Sequence, residues 1–299
     1  MRILAVDDEP FIMELLAMIA ARIGFTEFST AASGPEALRL LGMDERGFDC
    51  LILDINMPDM DGIELCRRVR QMEAYHTTPV IMLTAMSERE FVDKAFKAGA
   101  TDYATKPFDI IELGARLRVA EKLVLARRDA AAAKAGLAGT SSQTAPAHDF
   151  DLSDPVFIEG AQDLVDFPAL QNYLRQISRA GLAASQLIAV KVDRIDAIYA
   201  DATKEEFLYA LREVAGAITE VMRPISSLIC HAGSGVFVVV SHKAAALDAG
   251  QLESDVQEVL DQGNATFDDG RPMDLEVSIG DPIRPVPGDQ NDATKSIER

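Results

Sequence analysis

Five polar residues in the first 110 positions each follow a short apolar segment, and their types fit phosphoryl chemistry. Asp54 follows Cys-Leu-Ile-Leu, and the pair Asp7 and Asp8 follows Ile-Leu-Ala-Val. Thr84 follows Val-Ile-Met-Leu, and Lys106 follows Asp-Tyr-Ala-Thr. Three carboxylates that crowd together repel one another unless a divalent cation such as Mg²⁺ lies between them. A hydroxyl and an ammonium beside them suit a transferred phosphoryl group, whose charged oxygens need donors.

These residues can meet only if the apolar segments are neighbouring strands of one sheet. In the first 125 residues, strand-like segments alternate with helical ones across short loops, which predicts right-handed βαβ units and a doubly wound parallel sheet of five strands. Ligands collect outside the carboxyl ends of the strands in such a sheet. Helices are predicted at about 10–22, 34–41, 62–72, 88–97 and from 109 into the 120s. The five polar residues are therefore expected at one edge.

Composition and charge narrow the function classes. A chain of 299 residues with 48% hydrophobic content can bury two cores, so two domains are expected. A formal charge of −19 and a pI near 4.6 weigh against nonspecific binding to DNA or to anionic lipid. No apolar stretch approaches the roughly 20 residues that span a bilayer, and no signal peptide is predicted before the first strand. Three scattered cysteines without metal-like spacing favour a reduced, cytoplasmic setting.

Roughly residues 1–125 resemble the receiver domain of two-component response regulators. The resemblance rests on four motifs: VDDE at 6–9, DINMPDMDG at 54–62, LTA at 83–85 and KPF at 106–108. It implies that Asp54 accepts phosphate from a histidine kinase or a phosphotransfer protein. It also implies that Asp8, Asp54 and the backbone carbonyl of Asn56 hold Mg²⁺, while Asp7 acts mainly through water.

The same resemblance assigns the remaining polar positions of the first domain. Thr84 would follow the phosphoryl group, and Lys106 would pair with one of its oxygens. Tyr103 would occupy the aromatic switch position. The receiver would then catalyse only its own phosphorylation and dephosphorylation.

The last helix of this domain is predicted to continue past the length that a small domain needs. Apolar residues recur at spacings of three and four: Ile110, Leu113, Leu117, Ala120 and Val124. This stripe fits either intramolecular core alone, or core followed by a dimer seam. The resemblance favours a homodimer through the fourth and fifth helices and the fifth strand. Four charged residues there could exchange salt bridges between subunits: Lys94, Asp102, Arg116 and Arg118.

A change of composition marks the domain boundary. Residues 130–147 are rich in Ala, Gly, Ser, Thr and Gln, and 136–146 lack apolar periodicity. This composition predicts a flexible linker. An ordered surface loop is the alternative. The receiver is therefore assigned to 1–125, with its last helix reaching about 135. A helical extension and linker are assigned to 126–159, and an output domain to 160–299.

The second half also alternates helices and strands, but it contains a hairpin. Helices are predicted at about 168–179, 203–222 and 249–262, and strands at 186–192, at 229–240 as a hairpin, and at 275–279. The tight Gly233-Ser-Gly235 between two β-rich runs is a hairpin turn signal. This order favours an α+β fold of the nucleotidyl-cyclase type, with antiparallel strands.

Residues 160–299 resemble the GGDEF domain of diguanylate cyclases in framework but not in chemistry. The signature hairpin falls on GSGVF at 233–237, and VSIG at 277–280 resembles a later strand. In that register Lys191 replaces the metal-binding aspartate, Tyr199 the guanine-reading asparagine and Leu208 the second guanine-contacting acid. The acids of the signature fall on Gly235 and Val236. Two-metal phosphoryl transfer needs clustered carboxylates, so the domain is expected to be inactive as a cyclase.

The expected protein is a response regulator whose inactive GGDEF-like domain binds an unidentified downstream protein. The first alternative is a receptor that binds a nucleotide or cyclic di-GMP without turnover, because Lys191 could hold phosphate. The simpler interpretation of Lys191 is a lysine whose ammonium extends into water. An active diguanylate cyclase would need the missing acids. A transcription factor would need a basic recognition helix, whereas 203–222 carries two basic residues against four glutamates. No DNA or membrane partner is therefore expected.

Overall fold

The computed structural model describes residues 1–85, 89–138, 148–158, 164–177, 179–242 and 247–285. The chain divides into two compact units, Met1–Ser141 and Ser142–Arg299, and each is described by itself. Within the described residues, no helix is both long and apolar enough to cross a membrane.

The first unit is a doubly wound α/β domain with a five-stranded parallel sheet, which confirms the predicted fold. The sheet has the order β2-β1-β3-β4-β5, with strands β1 Ile3–Val6, β2 Phe28–Ala31, β3 Cys50–Asp54, β4 Val80–Thr84 and β5 Asp102–Thr105. The helices are α1 Pro10–Arg22, α2 Gly34–Met43, α3 Gly62–Arg70, α4 Arg89–Lys97 and α5 Ile110–Ala138, and a short 3-10 helix covers Glu73–Tyr75. Strands β1, β3 and β4 are buried along their whole length, because helices cover both faces of the sheet.

The strand ends bring the polar residues to one edge of this sheet. Strands β3 and β4 end at Asp54 and Thr84, while β1 and β5 end one residue before Asp7 and Lys106. The pairs β1 with β3, β3 with β4 and β4 with β5 are all parallel neighbours. The carboxyl ends of four strands therefore supply the candidate site.

The helix that follows the loop after β3 begins at a capped residue. The Asp61 carboxylate accepts a hydrogen bond from the Glu64 N–H at 2.7 Å, so α3 starts at Gly62, the last residue of the DINMPDMDG motif. Ser33 caps α2 in the same way, through the Glu36 N–H at 3.4 Å. These caps fix where the loops around the strand ends stop.

Helix α5 is longer than predicted, since it ends at Ala138 rather than at about 135. Its alanine-rich last turns have high helix propensity. Arg127 donates to the Thr77 carbonyl oxygen, and Arg128 pairs with the Asp49 carboxylate, which ties the extension to the rest of the domain. Residues 139–147, the remainder of the predicted linker, lie outside the described residues.

The apolar stripe of α5 divides into a buried and a half-buried part. Leu113, Leu117 and Ala120 are buried in the domain core. Val124, the last residue of the stripe, is half-buried, and its neighbours on other faces of the helix, Val119 and Leu125, are 38% and 50% exposed. The stripe is therefore intramolecular core as far as Ala120, and α5 carries exposed apolar residues beside it.

The second unit is an α+β domain on an antiparallel sheet of the order β7-β8-β6-β9, so the predicted antiparallel pairing is confirmed. Its strands are β6 Gln186–Val192, β7 Ser227–His231, β8 Val236–Ser241 and β9 Val277–Ile279. Its helices are α6 Phe167–Gln176, α7 Arg179–Ala183, α8 Ile195–Asp201, α9 Lys204–Met222 and α10 Ala249–Gly263. The segment predicted as one helix over 168–179 thus contains all of α6 but its first residue, and the first residue of α7, with residue 178 outside the described residues.

Residues 148–158, called the strap below, pack on the second unit although the sequence assigned them to the linker. His148 and Ile158 are buried, at 7% and 3% exposure, and Phe150 packs against the same apolar cluster. The strap carries large apolar and aromatic side chains, in contrast to the small and polar residues of the linker before it. Burial of these side chains stabilises the strap on the second unit. Contacts of the second unit therefore begin before residue 160.

Candidate functional site

The edge of the first sheet holds two buried carboxylates joined by one ammonium. Lys106 Nζ lies 2.8 Å from Asp7 Oδ2 and 2.7 Å from Asp54 Oδ1. Asp7, Asp54 and Thr84 are 0%, 2% and 1% exposed, whereas Asp8 is exposed. Buried carboxylates are costly without a counter-charge, and Lys106 supplies it.

The same edge offers oxygen ligands for a cation. Carboxylate oxygens of Asp7, Asp8 and Asp54 all lie within 4.8 Å of one another. Oxygen-only donor sets of this kind suit a hard divalent cation such as Mg²⁺. Asn56, the other predicted ligand, is exposed in the loop directly after β3. The residue types and spacing thus fit the predicted cation.

Burial and pairing shift the proton affinities of the central pair. Burial raises the pKa of Asp54, and the hydrogen bond from Lys106 opposes this rise only in part. Burial by itself would lower the pKa of Lys106, but its bonds to Asp54 and Asp7 outweigh that effect and raise it. Lys106 therefore stays an ammonium, while the Asp54 carboxylate binds a proton more readily than an exposed aspartate does.

Close backbone packing shapes the loop that carries Asp54. A Cβ on Gly62 would lie 2.1 Å from the Asp54 carbonyl oxygen, so only glycine fits at the start of α3. The Gly62 N–H donates to the Ile55 carbonyl oxygen at 3.0 Å, which closes the loop. Sequence reasoning found Gly62 as part of a motif, but the reason for the glycine required the fold.

Tyr103 lies on β5 and has its own set of neighbours. Its ring packs edge-on against Phe96 with centroids 6.1 Å apart, and the Arg116 guanidinium lies 5.8 Å from its centroid. Burial raises the pKa of the Tyr103 hydroxyl. Arg116 also donates to Asp102 Oδ1 at 2.9 Å. Two charges predicted to bridge subunits are thus paired within the chain.

The positions assigned to the cyclase site carry no carboxylate. Lys191 is exposed on β6 and faces Val236 in the register with β8. Gly235 has φ +68°, and a Cβ there would lie 2.6 Å from Ile195. The structure therefore places two of these positions on neighbouring strands without bringing acids together.

The other two assigned positions lie on helices. Tyr199 lies on α8, where its ring stacks on the His148 imidazole of the strap. Leu208 is half-buried on α9. The contact between Tyr199 and the strap had no signal in the sequence, because the two segments are far apart along the chain.

The sheet order, the strand-end carboxylates and Lys106 define the class of the first unit. Residues 3–118 are a response regulator receiver domain, the family that they match. This match lies within the first unit and leaves the second unit unassigned.

Individual relatives show the same coverage. The chain is 43% identical over 117 residues to the transcriptional regulatory protein TrcR of Mycobacterium tuberculosis, which is 39% of this chain and 44% of that protein. It is 41% identical over 117 residues to the transcriptional regulatory protein ResD of Bacillus subtilis, which is 39% of this chain and 46% of that protein. The solved chemotaxis protein CheY4 of Vibrio cholerae has 35% identity and a TM-score of 0.38, and the match covers 40% of this chain and 97% of that one. The chain thus spans less than half the length of these two curated relatives.

Proposed function

We propose that this chain is a phosphorylation-controlled response regulator in which Asp54 accepts a phosphoryl group from a histidine kinase or a phosphotransfer protein. The observation that carries the proposal is the buried Asp54 carboxylate, 2.7 Å from Lys106 Nζ and beside two further aspartates. A cluster of this kind can attract a phosphoryl donor only when cations offset its negative charge. Lys106 and Mg²⁺ are the two cations of the proposal.

The reaction is one displacement at phosphorus. An oxygen of Asp54 attacks the phosphorus of a phosphohistidine, so that a P–O bond forms as the P–N bond breaks and the leaving imidazole takes up a proton. Lys106 pairs with one phosphoryl oxygen, and the Thr84 hydroxyl donates to another. Asp8, Asp54 and the Asn56 carbonyl would hold Mg²⁺, with Asp7 acting through water. When bound, the ion would neutralise charge between the carboxylates and the phosphoryl oxygens.

Acetyl phosphate labelling followed by intact-mass spectrometry tests this proposal. We expect the full chain to gain one phosphoryl group in the presence of Mg²⁺ and to lose that gain with a chelator. Asp54→Asn should abolish labelling, whereas Asp59→Asn should retain it. Asp59 is the matched control because it is exposed in the same loop and has φ +66°, which asparagine tolerates. Labelling that persists in Asp54→Asn would refute the assignment.

The second unit is proposed to be a catalytically inactive GGDEF-like output domain that binds a downstream protein. Support comes from its antiparallel sheet with a glycine-rich hairpin, and from Lys191, Gly235 and Val236 at positions where a cyclase needs acids. Incubation with GTP and Mg²⁺ should yield no cyclic di-GMP, and any product would refute the proposed inactivity. Calorimetry with GTP and cyclic di-GMP tests the alternative of a receptor without turnover.

The proposed homodimer would use the exposed apolar residues of α5. Val119 and Leu125 are exposed beside the stripe, while Arg116 already pairs with Asp102 and Glu112 in the chain. Apolar burial, rather than exchanged salt bridges, would therefore supply most of the association energy. Sedimentation with and without beryllofluoride checks whether Val119→Glu prevents association.

DNA binding is not proposed, although TrcR and ResD are named transcriptional regulatory proteins. Their similarity to this chain covers 117 residues, close to the extent of the receiver match at 3–118. Helix α9 carries four glutamates against two basic residues, and the chain has a net charge of −19. Phosphate backbones would be repelled by such a surface.

A further inference from the structure

The strap lies over the hairpin that joins β7 and β8. At the hairpin tip, the Ser234 N–H donates to the Leu152 carbonyl oxygen at 2.7 Å. At the end of β7, His231 Nδ1 accepts from the Val156 N–H at 3.2 Å. The strap is therefore bonded both to the tip of the hairpin and to the strand that leads into it.

An aromatic stacking contact holds the start of the strap against helix α8. The His148 imidazole lies on the Tyr199 ring, with centroids 3.9 Å apart and planes 18° from parallel. His148 Nε2 is 2.7 Å from the Tyr199 carbonyl oxygen and must carry the proton, because a carbonyl only accepts. The Tyr199 hydroxyl donates to the Phe150 carbonyl oxygen. The chain itself thus covers one face of Tyr199.

The strap approaches the hairpin so closely that the turn needs a glycine. Gly233 has φ +95°, and a Cβ there would lie 2.1 Å from the Ser153 carbonyl oxygen. Any larger residue would push the strap backbone away. The packed position of the strap therefore requires glycine at residue 233 of the hairpin.

The middle of the strap holds its own shape. The Asp154 N–H donates to the Asp151 carbonyl oxygen at 3.0 Å, and the Asp151 N–H donates to Asp154 Oδ2 at 2.9 Å. Ser153 also bonds the Asp151 carboxylate, and all three residues are exposed. A turn that is closed by its own hydrogen bonds and has exposed side chains can detach from the second unit while the sheet stays folded. Segments that open locally in this way have low local stability.

We propose that the strap is a removable cover over the hairpin face of the second unit, and that phosphorylation of the receiver releases it. The second part rests on the proposed function. Helix α5 ends at Ala138 and the strap starts at His148, so nine residues, 139–147, connect them. The strap is therefore the first described part of the second unit that follows α5 along the chain.

Release would uncover groups that the strap now occupies. They are the Ser234 N–H, His231 Nδ1 and the covered face of the Tyr199 ring. A backbone donor, a ring-nitrogen acceptor and an aromatic face suit an extended peptide with an aromatic residue at its start, because the strap is itself such a peptide. The downstream partner would then compete with the strap for this face.

Hydrogen exchange on the full-length chain tests the cover with a matched pair of substitutions. Gly233→Ala should make the strap and the hairpin tip exchange about tenfold faster or more, while β6 and β8 keep their protection. Gly270→Ala is the control, because Gly270 has φ +83° but nothing within 4 Å of a Cβ. It should leave the strap as in the unmodified chain. Unchanged strap protection in Gly233→Ala would overturn the proposal.

A second variant separates release of the strap from general unfolding. His148→Ala removes the stack on Tyr199 and places no strain on the hairpin. We expect the same local pattern, with the sheet protected. Loss of protection throughout the second unit in both variants would show that the strap is part of the core, which would overturn the idea of a cover.

Beryllofluoride with Mg²⁺ tests control by the receiver. Strap exchange should rise in the unmodified chain and stay unchanged in Asp54→Asn. If acetyl phosphate labels Asp54 but the strap does not respond, receiver control of the strap is wrong and the proposed function stands. If Asp54 is not labelled, the proposed function fails, and the result with Gly233→Ala still decides whether the strap is a cover.

Discussion

The two units place similar residues at their sheet edges but use them differently. Lys106 at the end of a receiver strand lies between two buried carboxylates, whereas Lys191 near the end of β6 is exposed and faces Val236. The charges around a lysine, rather than its place on a strand, decide its electrostatic role. The receiver edge therefore has the charge arrangement that the proposed phosphoryl transfer needs, whereas Lys191 faces an apolar residue.

The two units also share a glycine at a close backbone approach. A Cβ would lie 2.1 Å from a carbonyl oxygen at both Gly62 and Gly233. At Gly62 the oxygen belongs to Asp54, at the end of a central strand, while at Gly233 it belongs to Ser153 of the strap. The same overlap should disturb a whole domain in one case and only a covering segment in the other.

The largest expected effect is that of Gly62→Ala. We expect the free energy of unfolding of the receiver to fall by about 4 kcal/mol, because the added carbon must displace the backbone of β3. Gly42→Ala is the control, since a Cβ at Gly42 in α2 has nothing within 4 Å, and it should be neutral or stabilising. Urea unfolding of the full chain measures both. Equal effects of the two substitutions would contradict the comparison.

Lys106→Met should destabilise the receiver by about 3 kcal/mol, because it leaves Asp7 and Asp54 buried without their ammonium. The loss should shrink as the pH falls, since protonation removes the carboxylate charges. Labelling of Asp54 by acetyl phosphate should also drop. Urea unfolding at two pH values measures the stability effect, and the labelling assay measures the second effect. A variant as stable as the unmodified chain would show that Lys106 is not the required counter-charge.

The hairpin face should respond to pH through His231. Burial lowers the pKa of His231 from 6.5 to about 4, and its Nε2 has no hydrogen-bond partner among the described residues. The unfolded chain binds the proton first, so this contribution is complete above pH 6.5 and is lost as the pH falls towards 4. The loss should reach about 2 kcal/mol between pH 7 and 5.

The control for this pH effect is His231→Asn, whose side-chain oxygen can still accept from the Val156 N–H but does not titrate. The slope of stability against pH for the second unit should flatten in this variant. Parallel slopes for the two proteins would show that His231 is not the group responsible. Absolute stabilities do not enter this test.

The smallest expected effect is that of Lys191→Met. An exposed lysine near the end of a strand contributes little, so the unfolding free energy should change by less than about 0.5 kcal/mol. Calorimetric titration with inorganic phosphate should be the same for this variant and the unmodified chain. A loss of phosphate binding in Lys191→Met would favour the receptor interpretation of the second unit.

Much of the receiver could be predicted from local sequence. The bounds of α1 at Pro10–Arg22 match the prediction, because Pro10 suits a first helical turn and the apolar spacing is regular. The strand ends at Asp54 and Thr84 followed from buried runs that stop at polar residues. Helix α5 was underestimated, because the alanines that extend it resemble a linker in composition.

The second unit shows where such prediction fails. Strand β6 occupies Gln186–Val192 as predicted. The strap was missed, because its partners Tyr199, His231 and Gly233 are 49 or more residues away and nothing local marks them as neighbours. Packing between distant segments is decided by surface complementarity, which a linear pattern does not display.

The linear order of residues is enough to give the kinds of residue at each strand end, the α/β alternation of the first unit and the lack of a carboxylate at Lys191, Gly235 and Val236. These properties depend on residue type and local periodicity alone. The folded chain was needed to show that one ammonium joins Asp7 to Asp54, that Arg116 pairs within the chain, and that the strap lies over the hairpin. Each of these depends on atoms brought together from distant parts of the chain, where distances of about 3 Å set the energy.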